Sequence, residues 1–215
     1  SRLCNDSLCD VGRTLSSQTM KNIILGSTSP RRKALLELIN LPFDVMASDY
    51  KEDMTLNMPP SELAQFLAKG KADSVVEKSG DGIVIGADTI ISINGEVMGK
   101  PKDEIEAKAM LQKLSGNTHE VITGVAMIEK PGGKTVTVSS ISKVTFKAIP
   151  EHEIDAYVAS GAPMHRAGAY GIQDLGSLFI ENIDGDYYGI MGLPIFTIAE
   201  MLKEFDVDIW KEMIT

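Results

Sequence analysis

The twelve residues Gly82–Ile93, "GIVIGADTIISI", constrain this chain more than any other stretch. A continuous apolar run rich in isoleucine, with Asn94-Gly95 directly behind it, reads as a buried strand leading into a hairpin. Its most apolar part, 83–87, is expected to be the strand itself, with Asp88 at its end. The rest of the chain alternates around it. A short strand is predicted at 22–26, a helix at 30–40 and a strand at 43–47. A polar loop follows, then a helix from Pro60 to about Lys78. After the hairpin comes a helix capped by Asp103 and stopped by Gly116. Two β-branched runs flank "PGG" across 119–148, and Pro150 opens a helix to Ser160. A glycine-rich loop, a hairpin turning at "DGD" and a long helix from Pro194 complete the chain. This order specifies one α/β domain over 20–215 with a mixed sheet. Residues 1–19 have no periodicity and are expected to be a disordered extension or a remnant of cloning.

Charge narrows the function. The chain carries a net charge of −9, which argues against a nucleic-acid polymer as partner, since that needs a broad basic face. An anion site must therefore be built from a few local cations. Both cysteines, Cys4 and Cys9, lie in the first ten residues, so the core has no disulfide; a reduced, cytoplasmic compartment is expected. No apolar run approaches the ~20 residues of a membrane span. There is no P-loop, no G-x-G-x-x-G before a helix, no H-E-x-x-H and no G-x-S-x-G. The three histidines, at 119, 152 and 165, have no zinc-like spacing.

Four small polar clusters remain. The first is "GSTSPRRK", with Ser27, Ser29, Arg31 and Arg32. Ser29 caps and Pro30 opens a helix, so both arginines fall in its first turn, where the macrodipole is already positive. Beyond Met20 the chain has only three arginines, and two are placed at this unfavourable end. A bound anion would reverse the penalty, because arginine forks and free N–H groups suit phosphate oxygens. The bland alternative is two arginines pointing into water at little cost, but the strand–Ser–Pro–Arg–Arg context favours an anion site. The second cluster is Asp88 in "GADT", at the carboxyl end of its strand, where open α/β sheets bind ligands. It could hold Mg²⁺, take a proton from water, or merely shape a turn. Glu52, in the long polar loop, is a second carboxylate, which periodicity alone would leave solvated. The third comprises Lys71 on a helix and Lys100 in "GKP", either of which could be plain surface lysine. The fourth is "AGAYGIQ", where Gly168 and Gly171 flank Tyr170 beside Gln173. Such glycines permit close approach of a ligand or a tight structural loop, and glutamine can pair with a base edge.

In order, "SxSPRR", "LAxxKA", "GADT", "GKP", "SGxTHxVxTGV", "AGAYGIQ" and "GDYxxxxGLP" resemble the Maf family of nucleoside triphosphate pyrophosphatases across about residues 23–202. The resemblance implies a fold similar to that of inosine-triphosphate pyrophosphatases: an elongated mixed sheet with flanking helices and a cleft between two lobes. It implies Asp88 as catalytic carboxylate and metal ligand with Glu52. It further implies substrate contacts from Ser27, Ser29, Arg31, Arg32, Lys71, Thr89, Lys100 and Gln173. Arg31, Thr89 and Gln173 match positions linked to the base. Mg²⁺ or Mn²⁺ and a homodimer are implied as well. The pairing of "GADT" with "YGIQ" is similar to the branch acting on dTTP and UTP. The alternatives are 7-methyl-GTP hydrolysis, a non-enzymatic nucleotide-binding regulator of cell division, and a sugar-phosphate nucleotidyltransferase. One departure stands out: where many relatives read "EPxDKAG", this chain has "APMHRAG", with no acid at His165 beside Arg166.

Overall fold

The computed structural model describes residues 21–212; the extension at 1–19, with Cys4 and Cys9, lies outside the described residues. Seven strands form one mixed sheet. Along it run β2 (Asp44–Val45), β1 (Ile23–Leu25), β3 (Gly82–Ile93), β5 (Thr118–Lys130), β6 (Thr135–Phe146) and β7 (Ile180–Asp184), while β4 (Glu96–Met98) pairs only with β3. β1 pairs parallel to β2 and β3; the other pairings are antiparallel. The mixed α/β architecture is the one expected.

Asp88 corrects the expectation for its strand. β3 does not end there; it pairs with β5 without interruption from Gly82 to Ser92, with Asp88 opposite Gly124. What ends is its other neighbour. β1 covers only Ile83–Ile85, and β4 begins its pairing at Ile91. Between them the edge of β3 is open, and Asp88 stands in that gap. The rule that ligands bind beyond strand ends is obeyed by β1, not by β3.

Helices cover both faces. On one face α1 (Pro30–Glu37) and α6 (Ile195–Glu204) pack over the first half of the long strands, around Leu25, Ile85 and Met127. On the same face α3 (Glu104–Leu114) and α4 (Glu151–Ala159) pack over the second half, around Ile91, Val121 and Phe146. The two cores are the two lobes, and they share one sheet. The other face is covered by α2 (Pro60–Val76), whose buried stripe Ala64, Leu67, Ala68, Ala72 and Val75 is mostly small. Close approach is the reason. A Cβ on Gly86 would lie 2.4 Å from the Ala68 carbonyl oxygen, and one on Gly124 would lie 2.1 Å from that of Ala64. The helix backbone therefore rests on the sheet at two glycines.

Ser29 and Asp103 cap their helices as expected, the former accepting from the Arg32 N–H and the latter from that of Glu106. The "DGD" segment differs. The chain does not return as a strand; Asp186 accepts from the Tyr188 N–H and caps a short helix, α5 (Tyr187–Met191). Local capping outweighed the turn signal, leaving β7 at the sheet edge. The chain closes with α7 (Ile209–Glu212) after a break at Asp206, which has φ of 61°.

His119 packs into the second core. It is 2% exposed, and its Nε2 lies 2.8 Å from the Tyr170 hydroxyl. Edge contacts to Phe146 and Tyr170 complete its surroundings. Burial lowers the imidazole to about 4, against 6.5 in the unfolded chain. Between those values the unfolded state binds the extra proton, so stability falls as pH drops from 6.5 towards 4. The full loss is about 3 kcal/mol, at 1.4 kcal/mol per pH unit. Urea unfolding across this range should show a shallower acid slope for His119→Gln than for the unaltered chain. Parallel slopes would place the proton elsewhere.

Candidate active site

The open edge of β3 leads into a cleft of about 660 Å³, lined by the α1 start, the 48–54 segment, α2, β3, Lys100 and the 165–173 loop. Every residue that the sequence nominated lines it: Ser27, Ser29, Arg31, Arg32, Glu52, Lys71, Asp88, Thr89, Lys100 and Gln173.

Asp88 is 5% exposed and lies on the α2 face of β3. Because α2 rests directly on Gly86 and Gly124, Lys71 can reach it. Lys71 Nζ is 2.5 Å from Asp88 Oδ1 and 2.6 Å from Glu52 Oε1. Glu52 is brought there by a loop that periodicity could not place. The Tyr50 ring packs against Gly70, where a Cβ would lie 2.4 Å from it, and the Ser48 and Ser74 hydroxyls are 2.7 Å apart. The glycine in "AKGKA" was the available signal, since an isolated glycine inside a helix often marks a packing contact. Burial pushes the Glu52 carboxyl up, but the hydrogen bond and charge of Lys71, with Lys100 and Arg32 behind, hold it below its ordinary value.

The two arginines of the helix start have different positions. Arg32 folds back across the seam between the lobes. Its Nε donates to the Gly192 carbonyl at 2.8 Å, and its terminal nitrogens donate to Ser27 Oγ at 3.4 Å and Thr89 Oγ1 at 3.3 Å. Thr89 Oγ1 is also 2.8 Å from Thr123 Oγ1, whose hydroxyl donates to the Gly189 carbonyl. Thr89 thus joins the lobes on the face opposite Asp88. Arg31 is exposed to the cleft. Burial and then the facing Arg166 hold its guanidinium below its ordinary value, partly offset by Asp174. Among the described residues, Arg31, Arg32 and Lys100 have no carboxylate within ion-pair distance. All three arginines beyond Met20 therefore line one cleft.

The 165–176 loop supplies the remaining wall. Gly168 and Gly171 serve structure there: a Cβ on the first would lie 2.4 Å from Ile91 Cδ1, and on the second 2.3 Å from Arg166 Nη1. The acid missing at His165 is replaced from further along. Arg166 Nη2 pairs with Asp174 Oδ2 at 2.6 Å, a contact that sequence reading missed. Gln173, exposed at the cleft, sits next to that pair.

Asp88 and Glu52 converge on one cation, the Lys71 ammonium, and both offer hard oxygen donors. That donor set fits Mg²⁺ or Mn²⁺, which are commonly bound through one or two carboxylates together with substrate phosphates. No group of three or more His, Cys, Asp or Glu forms a metal cluster among the described residues. No described helix is long and apolar enough to cross a membrane.

Fold and cleft together define a mixed α/β protein in which Arg31, Arg32 and Lys100, without a carboxylate partner among the described residues, share a cleft with a lysine-bridged carboxylate pair. The chain belongs to the family described as Maf-like protein, whose model matches residues 22–205. A protein of Bacillus cereus (strain G9842) named dTTP/UTP pyrophosphatase is 51% identical over 190 residues, covering 88% of this chain and 98% of that one. A Bacillus thuringiensis subsp. konkukian protein of the same name is 50% identical over 190 residues, with the same coverage. Among solved structures, the Staphylococcus aureus Ham1 protein aligns with a TM-score of 0.44 and 16% identity over 59% of this chain and 72% of that one.

Proposed function

We propose that this chain hydrolyses dTTP and UTP to the monophosphate and pyrophosphate. The observation that carries the proposal is the opposition of Arg31, Arg32 and Lys100 to a buried Asp88 in one cleft of about 660 Å³. In a chain of net charge −9, cations left without acidic partners at one spot are placed for an anion. Relatives about 50% identical over nearly their whole length carry the dTTP/UTP name.

The residues divide the work. Arg31, Arg32 and Lys100 take phosphate oxygens, and Ser27 and Ser29 shape the loop beneath them. Asp88 Oδ1 accepts from Lys71, which leaves Oδ2 to accept a proton from the attacking water. Water attacks the α-phosphorus, the bond to the bridging oxygen breaks, and pyrophosphate leaves with that electron pair, its charge met by the same cations. A divalent ion held by Asp88 and Glu52 would supply further charge neutralisation and Lewis acidity at the phosphate.

Arg31 provides one test. Arg31→Ala should weaken nucleotide binding yet leave the empty protein's melting temperature unchanged or slightly higher, since a cation facing Arg166 leaves a helix N-terminus. Melting is compared with and without dTTP under non-turnover conditions. A variant that melts lower when empty but gains as much from dTTP as the unaltered chain would make Arg31 structural.

Gln173 provides the other. Its amide offers two donors and one acceptor, matching the carbonyls and N3–H of a uracil-type edge. Release of pyrophosphate should be fastest from dTTP and UTP, slower from CTP and poor from ATP, GTP and 7-methyl-GTP. Gln173→Ala should narrow the gap between UTP and the others by about 1–3 kcal/mol. A preference for 7-methyl-GTP overturns the substrate assignment, and an unchanged profile in the variant removes Gln173 from base reading.

A further inference from the structure

Nothing in the cleft fixes Gln173 through its own side chain. Among the described residues its amide has no hydrogen-bond partner, and it is exposed to the cleft. Its direction is set by the backbone on either side, and that backbone is organised around the next residue. Asp174 Oδ1 accepts from the Gly176 N–H at 2.8 Å and from the Tyr157 hydroxyl at 2.9 Å. The Gly171 N–H in turn donates to the Tyr157 oxygen at 3.3 Å. Asp174 Oδ2 pairs with Arg166 Nη2 at 2.6 Å, while Arg166 Nε donates to the Ala162 carbonyl at 3.2 Å. The ion pair lies directly on the backbone. A Cβ at Gly171 would meet Arg166 Nη1 at 2.3 Å and Asp174 Oδ2 at 2.6 Å. One carboxylate thus ties the residues on both sides of Gln173 to α4 and to Arg166, with both partners of the pair less than a quarter exposed.

We propose that Asp174 is a positioning residue for base selection: through Arg166, Tyr157 and the backbone at 171 and 176 it aims Gln173 at the uracil edge. The inference rests on the substrate assignment proposed above. It differs from a purely structural role, because a loop held loosely still closes the core but presents the amide at the wrong angle. A good bidentate contact is worth about 1–3 kcal/mol of discrimination, at about tenfold per 1.4 kcal/mol, and a misaimed amide forfeits part of it.

The test compares kcat and KM for UTP and CTP in the full chain and in Asp174→Asn. The amide keeps an acceptor for Tyr157 and Gly176 but turns an N–H₂ donor towards Arg166, so only the ion pair is lost. The UTP-to-CTP ratio of kcat/KM should fall about tenfold, through KM for UTP, with kcat for UTP within about threefold. Adding Arg166→Gln should cost no further ratio and restore part of it, because it removes the guanidinium that the Asn N–H₂ would face donor to donor. If Asp174→Asn does not fold, Arg166→Gln alone is read by the same ratio and should lower it. A lower melting temperature with an unchanged ratio, or additive losses in the double variant, overturns the inference. If the unaltered chain shows no preference for UTP over CTP, the substrate assignment falls and takes this inference with it.

Discussion

Asp88→Asn is expected to lower the rate of pyrophosphate release from UTP or dTTP by about 10²–10⁴-fold, the usual worth of a positioned general base. Asparagine keeps the size of the side chain and leaves one oxygen for Lys71, but has no charge and takes no proton. The fold should persist, because Lys71 retains Glu52 at 2.6 Å. Initial rates at saturating nucleotide, with circular dichroism to confirm the folded state, make the measurement. A folded Asp88→Asn protein turning over at near the unaltered rate would remove Asp88 from the chemistry.

Lys71→Met is expected to have the largest effect on stability, about 3 kcal/mol, because removing one partner of a buried pair leaves the other charge uncompensated. Asp88 would remain at 5% exposure on a face shared with Val84, Ile90 and the alanines of α2, with Glu52 as a nearby like charge. The Glu52 side chain is 35% exposed, which keeps the cost from rising further. Activity should be lost as well. The double variant Lys71→Met, Asp88→Asn should regain most of the stability while staying inactive, and urea denaturation would register both. Were the single variant as stable as the unaltered chain, the ammonium would not be what allows Asp88 to be buried.

Much of the site could be read from residue order because its parts are local signals. Ser29 and Pro30 announce a helix start, and Arg31 and Arg32 are conspicuous there for their sign. The apolar run around Asp88 makes a lone carboxylate visible. Tyr50, Gly70, Thr123, Arg166 and Asp174 were harder to find. Tyr50, Gly70 and Thr123 act through partners distant in the chain, while Arg166 and Asp174 meet across an irregular loop, and no periodicity relates the members of either kind of pair. The "DGD" segment failed for another reason: its residues suit a turn and a helix cap alike, and the following "YYGIM" chose the cap.

By itself, then, the order of residues determined the alternation of strands and helices, most helix starts, the apolar core and the cations and carboxylates available for chemistry. These follow from local backbone preference and from burial, which act over a few residues. Tertiary structure alone decided where the cleft opens and how each arginine is held in it. The gap at Asp88 exists because β1 (Ile23–Leu25) stops pairing with β3 at Ile85 and β4 (Glu96–Met98) starts at Ile91, and the two segments stand far apart in the chain. Arg32 turns inward because Gly192 and Thr89 arrive beside it to accept its hydrogen bonds, while Arg31, one position earlier on the same turn, meets only Arg166 and Asp174 across open space. Neighbouring identical side chains thus come to be held differently, by acceptors that only the folded chain brings near.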